Sequence, residues 1–146
     1  MQVITAPERK PITNQSIFLA GTIDDGKSED WQSKLIKEFS EYNITILNPR
    51  RNNWGDLSDN ELHKQITWEL DHLEKADIIF MYIIGTSKSP ISLLEMGIHI
   101  KDSKLIVVCE PEFYRYDNVR ITCEYYNAEL YDSLGEGIDA LISNIE

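Results

Sequence analysis

The chain has 146 residues, a length that suits one domain. A hydrophobic share of 42% with 10% aromatic residues supports a real core and argues against disorder. Fourteen basic and 25 acidic residues give a formal net charge of −11, which argues against a nucleic-acid polymer or an anionic membrane surface as partner, since both need basic protein surface.

Residues 1–14, with Pro7, Pro11 and Lys10, read as a loose lead-in, and residues 15–146 as the folded domain. Residues 16–20 (SIFLA) predict a first strand ending at Gly21. Ser28 is the expected cap of a helix with Glu29 and Asp30 in its first turn and Trp31, Leu35 and Phe39 as its apolar stripe. Residues 44–47 (ITIL) predict a second strand, closed by Asn48-Pro49, with a polar loop over residues 50–57. Ser58 and Glu61 form a capping box that starts a helix running to about Lys75, with Leu62, Ile66, Leu70 and Leu73 as its expected core face. Residues 77–84 (DIIFMYII) are continuously apolar after Asp77, the pattern of a central parallel strand. Ser89-Pro90 supplies N-cap and N1 for a helix to about His99, and residues 105–109 (LIVVC) predict a fourth strand. A short helix over residues 118–126 and a fifth strand over 128–131 follow. Ser133 and Glu136 open a last helix with Leu134, Ile138, Leu141, Ile142 and Ile145 on one side.

Alternating strands and helices imply an α/β fold with βαβ crossovers, a five-stranded, mostly parallel sheet and helices on both faces. Ligands of such sheets bind at the carboxyl ends of the strands, here residues 21–26, 48–57, 85–89 and 110–118. The apolar run 76–84 is too short to span a bilayer, and residues 1–14 hold no apolar signal-peptide core. Cys109 and Cys123 form no CxxC pair, so free buried thiols are expected. A soluble, cytoplasmic, single-domain protein is the expectation. Dinucleotide, Walker A, serine-elbow and zinc-hydrolase motifs are missing, and His63, His72 and His99 make no metal-ligand pattern.

Two carboxylates stand out. At 100° per residue Glu69 lies within about 20° of Leu62, at the edge of the expected apolar stripe, where desolvation raises a carboxyl pKa and suits it to acid catalysis. The plainer alternative is an edge Glu that reaches water or a Lys. Glu95 is the only charged residue between Pro90 and Ile100 and shares one polar side of its helix with Ser92 and His99. The alternative there is a solvated stripe. Gly97 leaves room for a close approach. Two carboxylates beside one crevice are the parts of displacement at an anomeric carbon, one as nucleophile and one as proton donor.

Four stretches in order carry a resemblance: I-F-L-A-G-T-I (Ile17 to Ile23), L-N-P-R-R-x-x-W (Leu47 to Trp54), W-E-L-x-x-L-x-x-A-D (Trp68 to Asp77) and S-P-I-S-L-L-E-M-G (Ser89 to Gly97). Over residues 16–132 the chain resembles the nucleoside 2-deoxyribosyltransferase-like proteins. The resemblance implies a Rossmann-like, flavodoxin-type sandwich. It gives Glu95 the role of nucleophile on C1′ of the sugar. It gives Glu69, where the family usually has Asp, the handling of the nucleobase proton. Asn118 then reaches a neighbouring subunit's site, which implies a homo-oligomer, and Asn53 and Trp54 line the base pocket. Phe18 replaces the usual Tyr and Ser89 the usual Asp. Both replacements resemble related nucleotide N-hydrolases.

The expected function is transfer of a (2′-deoxy)ribosyl group between nucleobases without metal or organic cofactor. Gly21, Thr22 and Ser89 join Phe18, Asn53, Trp54 and Asn118 as substrate contacts. Thr22 reads equally as a turn residue, and Arg50 and Arg51 read as a surface pair more readily than as a phosphate or base contact. A nucleoside 5′-monophosphate N-glycosidase and a non-catalytic nucleotide-binding module are the alternatives. Asp24 and Asp25, next to Thr22, favour a neutral nucleoside over a charged nucleotide.

Overall fold

The computed structural model describes residues 1–146. The elements in chain order are β1 (Gln2–Thr5), β2 (Ser16–Gly21), α1 (Trp31–Glu38), β3 (Thr45–Asn48), α2 (Asp59–Lys75), β4 (Ile78–Ile83), α3 (Pro90–His99), β5 (Leu105–Cys109), α4 (Tyr116–Tyr126), β6 (Glu129–Tyr131) and α5 (Leu134–Asn144). The sheet is six-stranded in the order β1-β3-β2-β4-β5-β6 and is flanked by helices, an α/β sandwich of the Rossmann or flavodoxin kind. The pairs β1·β3, β2·β3, β4·β5 and β5·β6 are all parallel.

The expected five strands become six because the lead-in contributes β1. Val3 and Ile4 pair with Ile46 and Leu47, and Ile4 is fully buried. A four-residue strand holding only two β-branched apolar residues before a proline carries almost no periodic signal.

The chain divides into two compact units, Met1–Leu19 with Ile23–Asp77, and Ala20–Thr22 with Ile78–Glu146. In the first unit Trp31, Leu35 and Phe39 of the predicted stripe are buried with Ile17, Phe18, Ile46 and Trp68. Asp30 caps α1 by accepting from the Ser33 backbone N–H. Ser28, the expected cap, instead donates to the Ile23 carbonyl at 2.8 Å and ties down the preceding turn. The capping box at Ser58 and Glu61 starts α2 as predicted. Its core face is not the predicted one. Leu73 is buried, but Leu62, Ile66 and Leu70 are exposed, and Gln65, Trp68 and His72 face inward instead.

In the second unit every residue of β4 and β5 is buried, as continuous apolar runs require. Helix α4 starts two residues earlier than expected. Ser133 caps α5, whose Leu141 is buried and Ile142 exposed. Both cysteines are buried and free, and burial pushes the Cys109 thiol to about 12 and the Cys123 thiol to about 11. No helix is long and apolar enough to cross a membrane.

The end of β2 joins this second unit through backbone. Gly21 has φ +126°, and a Cβ there would lie 2.1 Å from the Tyr82 carbonyl oxygen. The next N–H, from Thr22, donates to that same oxygen at 2.9 Å. Gly21→Ala is therefore expected to cost at least about 3 kcal/mol in urea unfolding, because strain and a backbone clash add. A variant as stable as the parent would contradict this account.

Candidate functional site

Three hydroxyls meet where β2 ends and α3 begins. Thr22 Oγ1 lies 2.6 Å from Ser89 Oγ and 3.1 Å from Ser87 Oγ, and the two serines are 2.7 Å apart. All three side chains are buried. Thr22 Oγ1 also accepts the Ile84 N–H at 3.0 Å, and Ser87 Oγ donates to the Ile84 carbonyl at 2.7 Å. Three hydroxyl protons thus face four contacts, since Ser87 has spent its proton on Ile84. Such a cluster is short of donors.

Ser89 sits at the N-cap of α3 in the left-handed region (φ 44°, ψ 52°) with Pro90 at N1, but its hydroxyl makes no cap hydrogen bond. The side chain is committed to Thr22 and Ser87 instead. Glu110 fixes the same turn from the next strand end, accepting from the Gly85 N–H at 2.8 Å and the Tyr82 hydroxyl at 3.1 Å.

Helix α3 buries its polar side. Ser92, Glu95 and His99 are 3%, 7% and 1% exposed, whereas Ile91, Leu94 and Ile98 are 58%, 59% and 46% exposed. The solvated-stripe alternative for Glu95 is thereby excluded. His99 Nδ1 holds Asp102 Oδ2 at 2.7 Å. A Cβ at Gly97 would meet nothing within 4 Å, so no close approach within this chain requires that glycine.

Glu69 lies in the first unit, on the inward side of α2. It is half-buried, and that burial pushes its carboxyl up to about 7 against the lowering effect of a hydrogen bond from Gln65 Nε2 to Glu69 Oε2 at 3.1 Å. Its placement follows a different face from the one that predicted it. It sits beside Gln65 and Trp68, not beside a buried Leu62-Ile66-Leu70 stripe. Trp68 is fully buried, donates Nε1–H to the Glu8 carbonyl at 2.6 Å and stacks on His72 at 4.1 Å. Phe18 is fully buried with its ring 6.0 Å from Trp68, a core contact.

The 50–57 loop is built around Arg50. This side chain is 8% exposed, and its guanidinium donates to the carbonyls of Gly26, Ser28 and Glu29 at 3.1, 2.6 and 2.8 Å. It is neither a surface residue nor an open anion site. Trp54 lies over Gly26, where a Cβ would come within 2.5 Å of the indole. Asn53 is exposed and accepts the Gly55 N–H, closing a local turn. Asp24 and Asp25 are exposed, both at φ 51°. Asn118 is exposed in the first turn of α4.

The structure thus gathers Thr22 and Ser89 into one cluster and adds Ser87, which sequence reasoning missed because a serine in a polar turn carries no pattern. Gln65 was missed because its helix face looked polar and solvated. Residues 14–113 match a protein-family model described as nucleoside 2-deoxyribosyltransferase like. Comparison with curated proteins finds no match.

The raised carboxyl makes a stability prediction. Glu69 takes up its proton near pH 7 when folded and near 4.5 when unfolded, so its buried charge destabilises the fold increasingly as pH rises from 4.5 through 7. Glu69→Gln should be more stable than the parent by about 2 kcal/mol at pH 8, a figure reduced for partial exposure, with the gap closing by pH 4.5. Urea unfolding at the two pH values checks it.

Proposed function

The chain belongs to the nucleoside 2-deoxyribosyltransferase-like family, and on that footing we propose that it cleaves the N-glycosidic bond of 2′-deoxynucleosides through a covalent glycosyl-Glu95 intermediate and passes the sugar to a second nucleobase. The observation that carries this reading is the inverted face of α3. A carboxylate kept inside while three aliphatic side chains stay outside is poor economy for stability and good placement for chemistry.

In the first step a Glu95 oxygen bonds to C1′ as the C1′–N bond breaks, through an oxocarbenium-like transition state. Glu69 delivers its proton to the departing base, a role suited to a carboxyl that burial holds near neutrality. In the second step a nitrogen of the incoming base attacks C1′, its proton returns to Glu69, and Glu95 leaves as carboxylate. Two inversions give net retention. The two carboxylates supply nucleophile and acid, so the chemistry calls for no cofactor.

Gly21, Thr22 and Ser89, with Ser87, take the sugar end in this reading, and Phe18, Asn53 and Trp54 belong to the base side. The donor-poor hydroxyl cluster and the exposed Asp24 and Asp25 favour a neutral sugar hydroxyl over a phosphate. The enzyme works in the cytoplasm as a homo-oligomer with shared sites. The exposed stripes Leu62-Ile66-Leu70 and Ile91-Leu94-Ile98 supply apolar surface for subunit contact, and exposed Asn118 is free to serve a neighbour's site.

Incubation with a deoxynucleoside plus a different free base should give base exchange without net hydrolysis. Glu95→Ala should lower that rate at least about 10³-fold while thermal unfolding stays unchanged. An active Glu95→Ala enzyme would overturn the assignment. Sugar-phosphate release from a nucleoside 5′-monophosphate alone would replace transfer with hydrolysis. Ligand binding with no product after long incubation would replace both with a binding module.

A further inference from the structure

Gln65 lies one helical turn before Glu69 on α2 and is 2% exposed. Its Nε2 makes two hydrogen bonds, to the Pro49 carbonyl at 3.0 Å and to Glu69 Oε2 at 3.1 Å. Its own Oε1 is buried with no partner. A side chain kept for stability alone would be apolar or fully paired, because an unmatched buried amide oxygen is costly. The same neighbourhood holds the other buried polar atoms left without partners: Arg51 Nε and Trp54 Nε1 on the 50–57 loop, and Gln32 Nε2, whose amide oxygen takes a bond from Arg50.

The two bonds have unequal standing. The Pro49 carbonyl accepts at every pH, and it does not ionise. Turning the Gln65 amide over would set an oxygen against that carbonyl, so Nε2 stays where it is and its second N–H keeps facing Glu69 Oε2. An oxygen that accepts an N–H is the carbonyl oxygen of a neutral carboxyl, so the acid proton belongs on the other one. We infer that Gln65 is a positioning residue that fixes the proton of Glu69 on Oε1, and thereby selects the oxygen that meets a nitrogen of the departing base. The inference deepens the reading of Glu69 as the acid and rests on it for its consequence in catalysis.

The three arginines of the first unit have partners elsewhere. Arg50 serves the 26–30 loop and Asp30, Arg51 lies 4.0 Å from Glu61, and Arg9 pairs with Asp71. His72, also on α2, bonds the Trp68 carbonyl through Nδ1, and burial lowers its pKa. Gln65 is thus the one polar side chain seen to tune the Glu69 carboxyl, against desolvation.

The test is a carbon-13 NMR titration of the Glu69 carboxyl in the full chain, with nitrogen-15 detection of the Gln65 side-chain amide. In the parent the carboxyl should titrate near 7, and the Gln65 amide resonances should move with the same midpoint. Gln65→Met, similar in length and unable to donate, should raise the midpoint by roughly one pH unit, a tenfold weaker acid. The descending alkaline limb of the base-exchange rate should follow it. An unmoved or lowered midpoint in Gln65→Met overturns the inference. Parent Gln65 resonances that ignore the carboxyl titration overturn it as well, and this second readout decides alone if Gln65→Met does not fold. A fully active Glu69→Gln enzyme would instead overturn the acid role, with the amide–carboxyl coupling of the parent still measurable.

Discussion

Thr22 holds two backbone groups at the end of β4 and two side chains at once. Its N–H reaches the Tyr82 carbonyl, its hydroxyl accepts the Ile84 N–H, and the same hydroxyl touches Ser87 and Ser89. Gly21 makes this possible, because only a residue without Cβ lets the chain pass that close to Tyr82. The start of α3 then follows. Ser89 takes a left-handed conformation and gives its hydroxyl to the cluster, not to the helix end. That knot of short hydrogen bonds stands at the start of α3, the helix that buries Glu95. The knot has little redundancy, since its three protons already serve more acceptors than they can satisfy.

Both helices that carry the carboxylates turn polar residues inward. On α2 the inner face is Gln65, Trp68, His72 and Leu73; on α3 it is Ser92, Glu95, Met96 and His99. Leu62, Ile66 and Leu70 of α2 and Ile91, Leu94 and Ile98 of α3 remain at 44–59% exposure. Buried polar groups cost free energy unless paired; on these two faces Gln65 Oε1 is the side-chain atom left without a partner.

Glu69 lies in the first compact unit and Glu95 in the second. Glu69 is governed by desolvation, opposed by a single amide whose orientation a proline carbonyl locks. Arg50 gives the adjoining loop its shape by capturing three backbone carbonyls, which leaves Trp54 over Gly26. A buried guanidinium used this way is architecture: its donors are engaged by three main-chain carbonyls, by the Gln32 amide oxygen and by Asp30.

Much of the fold was legible because long apolar runs and caps are local signals. The β4 and β5 runs, the Ser58–Glu61 capping box, the Ser89-Pro90 start of α3 and the α1 stripe can each be read from neighbours in sequence. The sequence by itself determined the alternating α/β order, the parallel sheet and the family, through motifs at fixed spacing. It did not determine which face of α2 points inward, that residues 2–5 add a strand, that Ser28 yields the α1 cap to Asp30, that Ser87 joins the hydroxyl cluster, or that Gln65 bonds Glu69. Those were decided by tertiary structure. A helical wheel ranks faces by apolarity, whereas the fold chose the faces by what each helix packs against and what it must present. No residue's own periodicity contains that information.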